Sequence, residues 1–233
     1  MKIPVLMYHS ISNGQSNLSV SLKNFDAQLS YMSSNNYKTT SFDKLELVVG
    51  KNKYFIITFD DGYEDVFLNA LPILKKYNYT ATCFFVTDYI GKYNVWDETK
   101  KNFKKLNLMS LDQLKLWTEN NMLVGSHTTK HMNLNEISYK ERLKQIVEPK
   151  IFFEKELSIN VDTFSYPFGS VDDSSKSIVK DNYKYAVTTK RSRYSKKKFS
   201  NLEIPRVPIN KNDGMFKFFL KVETVYEDLK FKK

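Results

Sequence analysis

One cysteine, Cys83, is all the thiol chemistry the sequence holds, which excludes an intrachain disulfide and any cysteine-cluster metal site. It lies in the apolar run Thr82-Cys-Phe-Phe-Val86 and reads as a small core residue. Seven glycines and six prolines in 233 residues exclude a collagen-like or linker-like chain. No stretch approaches the length of apolar residues that a membrane-spanning helix needs. Between Lys2 and Tyr8 only Ile3 to Met7 are apolar, too short for the core of a signal peptide. As written, the chain reads as cytoplasmic; a chain trimmed of an export signal would look the same and would belong to the cell envelope.

Acid is also in deficit, with 26 Asp and Glu against 36 Lys and Arg, a formal charge of +10. That excess can steer a protein toward nucleic acid, an anionic membrane or envelope surface, or a phosphate-bearing glycan. The densest cluster is Lys190, Arg191, Arg193, Lys196, Lys197 and Lys198, in a basic loop expected near 190–201 that is either solvated or an anionic contact. No recognition helix or paired aromatic strand motif accompanies it, so nucleic acid is not expected.

What is present is a 41% apolar chain able to bury a core as one domain over residues 1–233. Apolar runs predict strands over 3–8, 54–59, 80–86, 122–125, 161–165, 185–188 and 202–207. Between them, helical spacing appears at Leu22, Phe25, Leu29 and Met32, and at Val66, Ala70, Leu71 and Leu74 with Pro72 as an interruption or a sign that the first turn begins later. Further helices are predicted from Ser110, an N-cap, to about 119, over 137–156 with a kink or break at Pro149, near 174–181, and near 215–229. Such alternation predicts a mainly parallel sheet with helices outside, either open or closed into a barrel. In both architectures function gathers at the C-terminal strand ends, where His9, Asp60, Asp61, His127 and Tyr166 all fall.

The chain has three histidines, and every one stands at or just past a predicted strand exit. His127 and His131, four residues apart, can pair on a helical face or converge in a loop, a spacing that suits two imidazole ligands. Asp60 and Asp61 end an apolar strand, where two adjacent carboxylates repel each other and lose solvent unless a cation or hydrogen-bond donors offset both. One can ligate a divalent metal while its neighbour takes a proton from water; two acids capping the next helix is the plainer alternative. A magnesium phosphoryl-transfer site is another option, and two imidazoles shift preference toward zinc or a similar transition metal.

Taken together, Thr58-Phe-Asp-Asp-Gly62, Ser126-His-Thr-Thr-Lys-His131 and Ser165-Tyr-Pro-Phe-Gly169 resemble the successive motifs of the polysaccharide deacetylase family, the NodB-homology carbohydrate esterases. Ala70-Leu-Pro-Ile-Leu-Lys75, Ala81-Thr-Cys-Phe-Phe-Val86, Tyr185-Ala-Val-Thr-Thr189 and Ile204-Pro-Arg206 are similar to the same family, so the resemblance runs from Tyr8 to about Val207. It implies a distorted (β/α)7 barrel and one divalent ion, Zn2+ ahead of Co2+, Ni2+ or Mn2+, held by Asp61, His127 and His131. It also implies that Asp60 is the general base and that the backbone N–H at Phe168 helps hold the oxyanion. The activity implied is hydrolysis of the acetamide of an N-acetylated sugar, N-acetylglucosamine in a polysaccharide or glycolipid. The alternative is a catalytically weak module that binds an anionic glycan or membrane surface.

Two departures from the family pattern bear on mechanism. Ser165 stands where an arginine commonly orients the base, and no histidine follows Leu202 to serve as general acid. Arg206 stays charged and cannot donate that proton, but it is a candidate partner for Asp60 in place of the missing arginine. His9 is the one remaining histidine and a candidate for holding substrate or protonating the leaving amine. The rings of Tyr63, Tyr166, Phe168 and Trp96 are candidates for stacking on a sugar, with Trp96 in an irregular segment suited to a lid.

Overall fold

In the computed structural model, which describes residues 2–14, 16–48 and 53–230, the first half of the chain forms β1 (Val5–Tyr8), β2 (Ser10–Ile11), β3 (Ser19–Val20), α1 (Leu22–Ser34), β4 (Lys38–Thr39), α2 (Leu45–Val48), β5 (Tyr54–Phe59), α3 (Leu71–Lys76) and β6 (Thr82–Phe85). The second half adds α4 (Leu111–Glu119), β7 (Leu123–Ser126), α5 (Tyr139–Leu157), β8 (Thr163–Ser165), α6 (Asp173–Asn182), β9 (Tyr185–Arg191), β10 (Ile204–Pro208), α7 (Met215–Glu223) and α8 (Tyr226–Lys230).

Strands β1, β10, β9, β8, β7, β6 and β5 pair in that order, and β5 returns to β1 with Val5 opposite Ile56 and Tyr8 opposite Phe59. Every pairing is parallel, so seven strands close a barrel with helices outside. The closure explains why these strands read as apolar runs without alternation: barrel interior and helix layer both exclude water, and every residue of β1, β6 and β10 is buried. The barrel is uneven, because β7 and β8 share one register pair, Ser126 with Phe164, and the β9–β10 register shifts between Ile204 and Arg206. β4 adds to β5 outside the ring.

Local signals set the helix starts. Ser21 and Ser110 accept the backbone N–H three residues on, and Gln113 completes a capping box at Ser110. Asp172 with Ser175 does the same for α6.

Two expectations change, and at Pro72 the reading of a later first turn holds. α5 runs through Pro149, which removes one helical bond but sits on the same buried stripe as Ile146 and Phe153. Pro72 lies in the first turn of α3, where a missing N–H is tolerated, after a wide π-type turn over Val66–Ala70. The C-terminal segment is two helices, not one: Thr224 is extended, its hydroxyl donating to Leu220 O at 2.6 Å and accepting Tyr226 N–H at 3.1 Å. The break turns Glu227 and Asp228 inward, where they meet Arg191 and Arg193. The basic segment is therefore partly internal; β9 already includes Lys190 and Arg191, and Lys196 reaches Glu46. Among the described residues, no helix is long and apolar enough to cross a membrane.

Candidate functional site

At the C-terminal end of β5 the backbone turns left-handed at Asp61 and Gly62, both with φ near 73°. A side chain at Gly62 would bring its Cβ to 2.6 Å from the Phe85 ring, so glycine is required for conformation and for space. The turn sends the two buried aspartates to different partners.

Asp60 meets Arg206. The guanidinium of this fully buried arginine forms a fork, Nη1 to Oδ1 and Nη2 to Oδ2, each at 2.6 Å. Its remaining N–H groups go to Thr58 Oγ1 and Ser165 Oγ, both at 3.2 Å, and to Thr188 O at 3.0 Å. All five donors are thus matched, the condition under which a buried guanidinium is tolerable. Burial pushes the Asp60 carboxyl up, but the charge and hydrogen bonds of Arg206 outweigh it and hold the group below its ordinary value. Ser165 fits the arrangement: where an arginine of the third motif would crowd Arg206, a small hydroxyl accepts from it.

Asp61 meets His127 and His131, and one ligand atom from each of the three lies within 4.8 Å of the others. His131 Nε2 is 3.3 Å and His127 Nε2 3.5 Å from Asp61 Oδ1, an oxygen that is buried without a hydrogen-bond partner. His127 Nδ1 lies 2.7 Å from the Ser165 carbonyl oxygen, which can only accept. Nδ1 therefore carries the proton, and in the neutral ring the Nε2 lone pair faces Asp61. The facing lone pairs of Asp61 Oδ1 and His127 Nε2, both buried, repel until something positive lies between them. One carboxylate and two imidazoles form a donor set that fits a divalent transition metal.

Burial would raise Asp61, yet the two imidazoles hold it well below its ordinary value. The histidines diverge: burial pulls both down, the negative charge of the adjacent aspartates carries His127 above its ordinary value, and His131 stays below.

Backbone strain gathers here as well. Asp61, Thr128, His131 and Phe168 all have positive φ, at 73°, 69°, 56° and 60°. Such conformations cost about 1–3 kcal/mol each and persist where the surroundings enforce them. For the histidine loop, the His131 N–H donates to Thr128 Oγ1, and the Thr87 and Asp88 N–H groups donate to Thr128 O and Thr129 O.

The other candidates fall as follows. His9 is half-buried beyond β1 and outside the ligand cluster, near enough for its charge to act on Asp60 and Asp61. Phe168 is 52% exposed, with its ring edge-on to His131 at 4.7 Å. Trp96 is half-buried and stacks on His131 at 4.7 Å and 20°, so its ring backs a ligand. Tyr166 and Tyr63 correct the stacking expectation. Tyr166 is fully buried, packed edge-on against Phe164, and Tyr63 is buried beside Asp61, so neither ring face is open to a sugar.

Sequence reasoning missed Thr58 and Thr188 as acceptors for Arg206, and it missed Asp65. The Asp65 carboxylate accepts from Ser10 Oγ at 2.5 Å and Ile11 N at 3.0 Å, tying the segment after His9 to the segment after Asp61. An acid four residues past Asp61 was the available signal.

Residues 48–186 match the family model described as Polysaccharide deacetylase. The Bacillus subtilis protein YxkH is 32% identical over 195 residues, 81% of this chain, and the chain spans 64% of that relative. A poly-beta-1,6-N-acetyl-D-glucosamine N-deacetylase of Staphylococcus aureus is 26% identical over 93% of this chain and 76% of its own length. Among solved structures, the Streptococcus pyogenes deacetylase PplD, in complex with acetate, gives a TM-score of 0.82 at 28% identity over 96% of this chain and 99% of that one. A polysaccharide deacetylase from Bacillus cereus gives the same TM-score of 0.82 and the same 28% identity, over 96% of this chain and 69% of its own.

Proposed function

Because this chain belongs to the polysaccharide deacetylase family, we propose that it hydrolyses the acetamide of N-acetylated sugars, N-acetylglucosamine in a glycan above all, releasing acetate and leaving a free amine. The observation that carries the reading is the division of labour between adjacent aspartates: Asp61 faces two imidazoles with an unpartnered oxygen, while Asp60 is held apart by Arg206.

Asp61, His127 and His131 would hold a divalent cation, Zn2+ by the preference of this donor set, and such a cation supplies activation of water and polarisation of the acetamide carbonyl. Asp60 is the base. Arg206 keeps it ionised and fixes the carboxylate plane, and each oxygen retains a second lone pair to accept a proton from the attacking water. Arg206 is a positioning residue, unable to give a proton up. The leaving nitrogen takes its proton from Asp60, once protonated, or from His9, the one other imidazole whose charge both aspartates feel. Phe168 supplies the backbone N–H for the oxyanion and an exposed ring beside the site.

Acetate release from N-acetylglucosamine oligomers, with elemental analysis of the purified chain, tests this. We expect about one zinc per chain, loss of release on chelation and its return with zinc. Asp60→Asn should lower turnover by roughly 10²–10⁴-fold, the usual worth of a general base. Wild-type release no faster than that of Asp60→Asn would overturn the reading. Near-normal turnover of His9→Ala at normal zinc content would remove His9 from the mechanism.

A further inference from the structure

The reaction assigns nothing to the C-terminal helices, and α7 packs inside out. Its sequence, Met215-Phe-Lys-Phe-Phe-Leu-Lys-Val-Glu223, turns Phe218, Lys221 and Val222 toward the core. The Lys221 ammonium is tolerated there because Asp213 and the Pro208 carbonyl accept from it. Helical spacing puts Met215, Phe216, Phe219 and Leu220 on the opposite stripe, where Met215, Phe216 and Phe219 are exposed, Phe216 by 76%. A helix that buries a lysine and shows phenylalanines to solvent reverses the usual arrangement.

α8 packs beside α7 and extends the face with Leu229, 62% exposed, while Val225 stands exposed at the break between the two helices. Five of the fourteen exposed large hydrophobic residues among those described fall within residues 215–229, more than in any other stretch of that length. A cluster of this kind marks a contact surface, whereas single exposed apolar residues do not.

Charge selects what the surface meets. Four acids stand between residues 210 and 230. The side chains of Asp213, Glu227 and Asp228 are buried against Lys221, Arg191 and Arg193, and half-buried Glu223 meets Lys53 and the Tyr31 hydroxyl. Lys211 and Lys230 are exposed, and Lys217 is 44% exposed. The charge these helices show to solvent is therefore positive. A second copy laid face to face on this stripe would set lysine against lysine. An anionic bilayer fits both features, taking the rings at the level of its headgroups and the ammonium groups at its phosphates.

We propose that α7 and α8 form a docking face for an anionic phospholipid surface, on which the chain lies without crossing it. No residue of either helix belongs to the metal-ligand cluster or holds Asp60, so docking and the reaction are read separately.

Co-sedimentation of the chain with vesicles of phosphatidylcholine and phosphatidylglycerol, against vesicles of phosphatidylcholine alone, tests the face. We expect binding to the anionic vesicles that weakens as salt rises, and far weaker binding to the neutral ones. Phe216→Ser with Phe219→Ser should lower partition onto anionic vesicles by about tenfold or more, since the rings supply the buried apolar area. Lys211→Glu with Lys230→Glu should lower it by about tenfold through charge. An unchanged melting temperature identifies both variants as folded. Failure to sediment with anionic vesicles, equal binding to neutral ones, or undiminished binding of the phenylalanine variant would overturn the proposal. So would a dimer in solution that the phenylalanine variant dissociates, with vesicles left unbound, which would give the face to a second copy.

Discussion

Among the described residues, two clusters of buried charge are built to opposite plans. The first, where β9 meets the C-terminal helices, is closed. Arg191 forks onto Glu227 at 2.8 and 2.9 Å, and Arg193 and Lys2 share Asp228. Lys221, with no exposed surface, donates to Asp213 Oδ2 and to the Pro208 carbonyl, and Asp213 Oδ1, which accepts no hydrogen bond, is closed off by the Lys217 ammonium at 2.6 Å. The second, at the barrel mouth, is closed on one side and open on the other. Asp60 and Arg206 satisfy each other, whereas Asp61 Oδ1 is buried without a hydrogen-bond partner and faces the Nε2 atoms of His127 and His131. A closed cluster spends its charge on holding segments together; an open one keeps lone pairs for something that is not protein.

Three experiments bear on that contrast. The largest effect should come from the closed side of the mouth. Arg206→Met leaves Asp60 buried and unpaired and should destabilise the chain by about 3–5 kcal/mol, read by denaturant titration. Arg206→Met with Asp60→Asn should recover part of that loss while acetate release stays absent. If the single variant folds as stably as the wild type, Asp60 is not held by this pair.

Zinc should distinguish the open side next. At a hundredfold excess over Kd, a bound cation stabilises by about 2.7 kcal/mol, roughly 5–10 °C in Tm for a chain of this size. The wild type should show that rise and Asp61→Ala should not. An equal rise in both would place the cation elsewhere.

The smallest effect should come from the C-terminal cluster. Burial alone would raise Asp228, but hydrogen bonds from Arg193 and Lys2 outweigh it and set the carboxyl at about 2, below the ordinary 3.8. A group lowered on folding stabilises fully above its unfolded value, and that contribution is lost as pH falls toward the folded one. Asp228→Asn should therefore cost about 1–3 kcal/mol at neutral pH. The gap between variant and wild type should close from about pH 4 to about pH 2 and stay insensitive to zinc. A gap unchanged down to pH 2 would mean the carboxylate charge contributes nothing there.

Fold and site were legible to different depths. The strands could be read because barrel strands buried on both faces leave uninterrupted apolar runs, and Tyr54–Phe59 is recovered residue for residue. Boundaries set by distant partners could not. The helix break at Thr224 depends on where Arg191 and Arg193 lie, some thirty residues upstream, and the continuation of α5 through Pro149 depends on the core beneath it. Ring chemistry was equally opaque: Tyr166 and Phe168 are two residues apart, yet one is fully buried and the other 52% exposed.

The sequence by itself determined which groups could do chemistry and at which strand ends they stand, because residue type and local periodicity need no partner to be read. Only the tertiary structure decided how those groups divide the work. Whether Arg206 would find Asp60, whether His127 would turn a lone pair toward Asp61, and whether the basic segment would face solvent or Glu227 and Asp228 are long-range matters. They are settled when the barrel closes, since a buried charge takes as its partner whichever group closure brings within a hydrogen bond's reach.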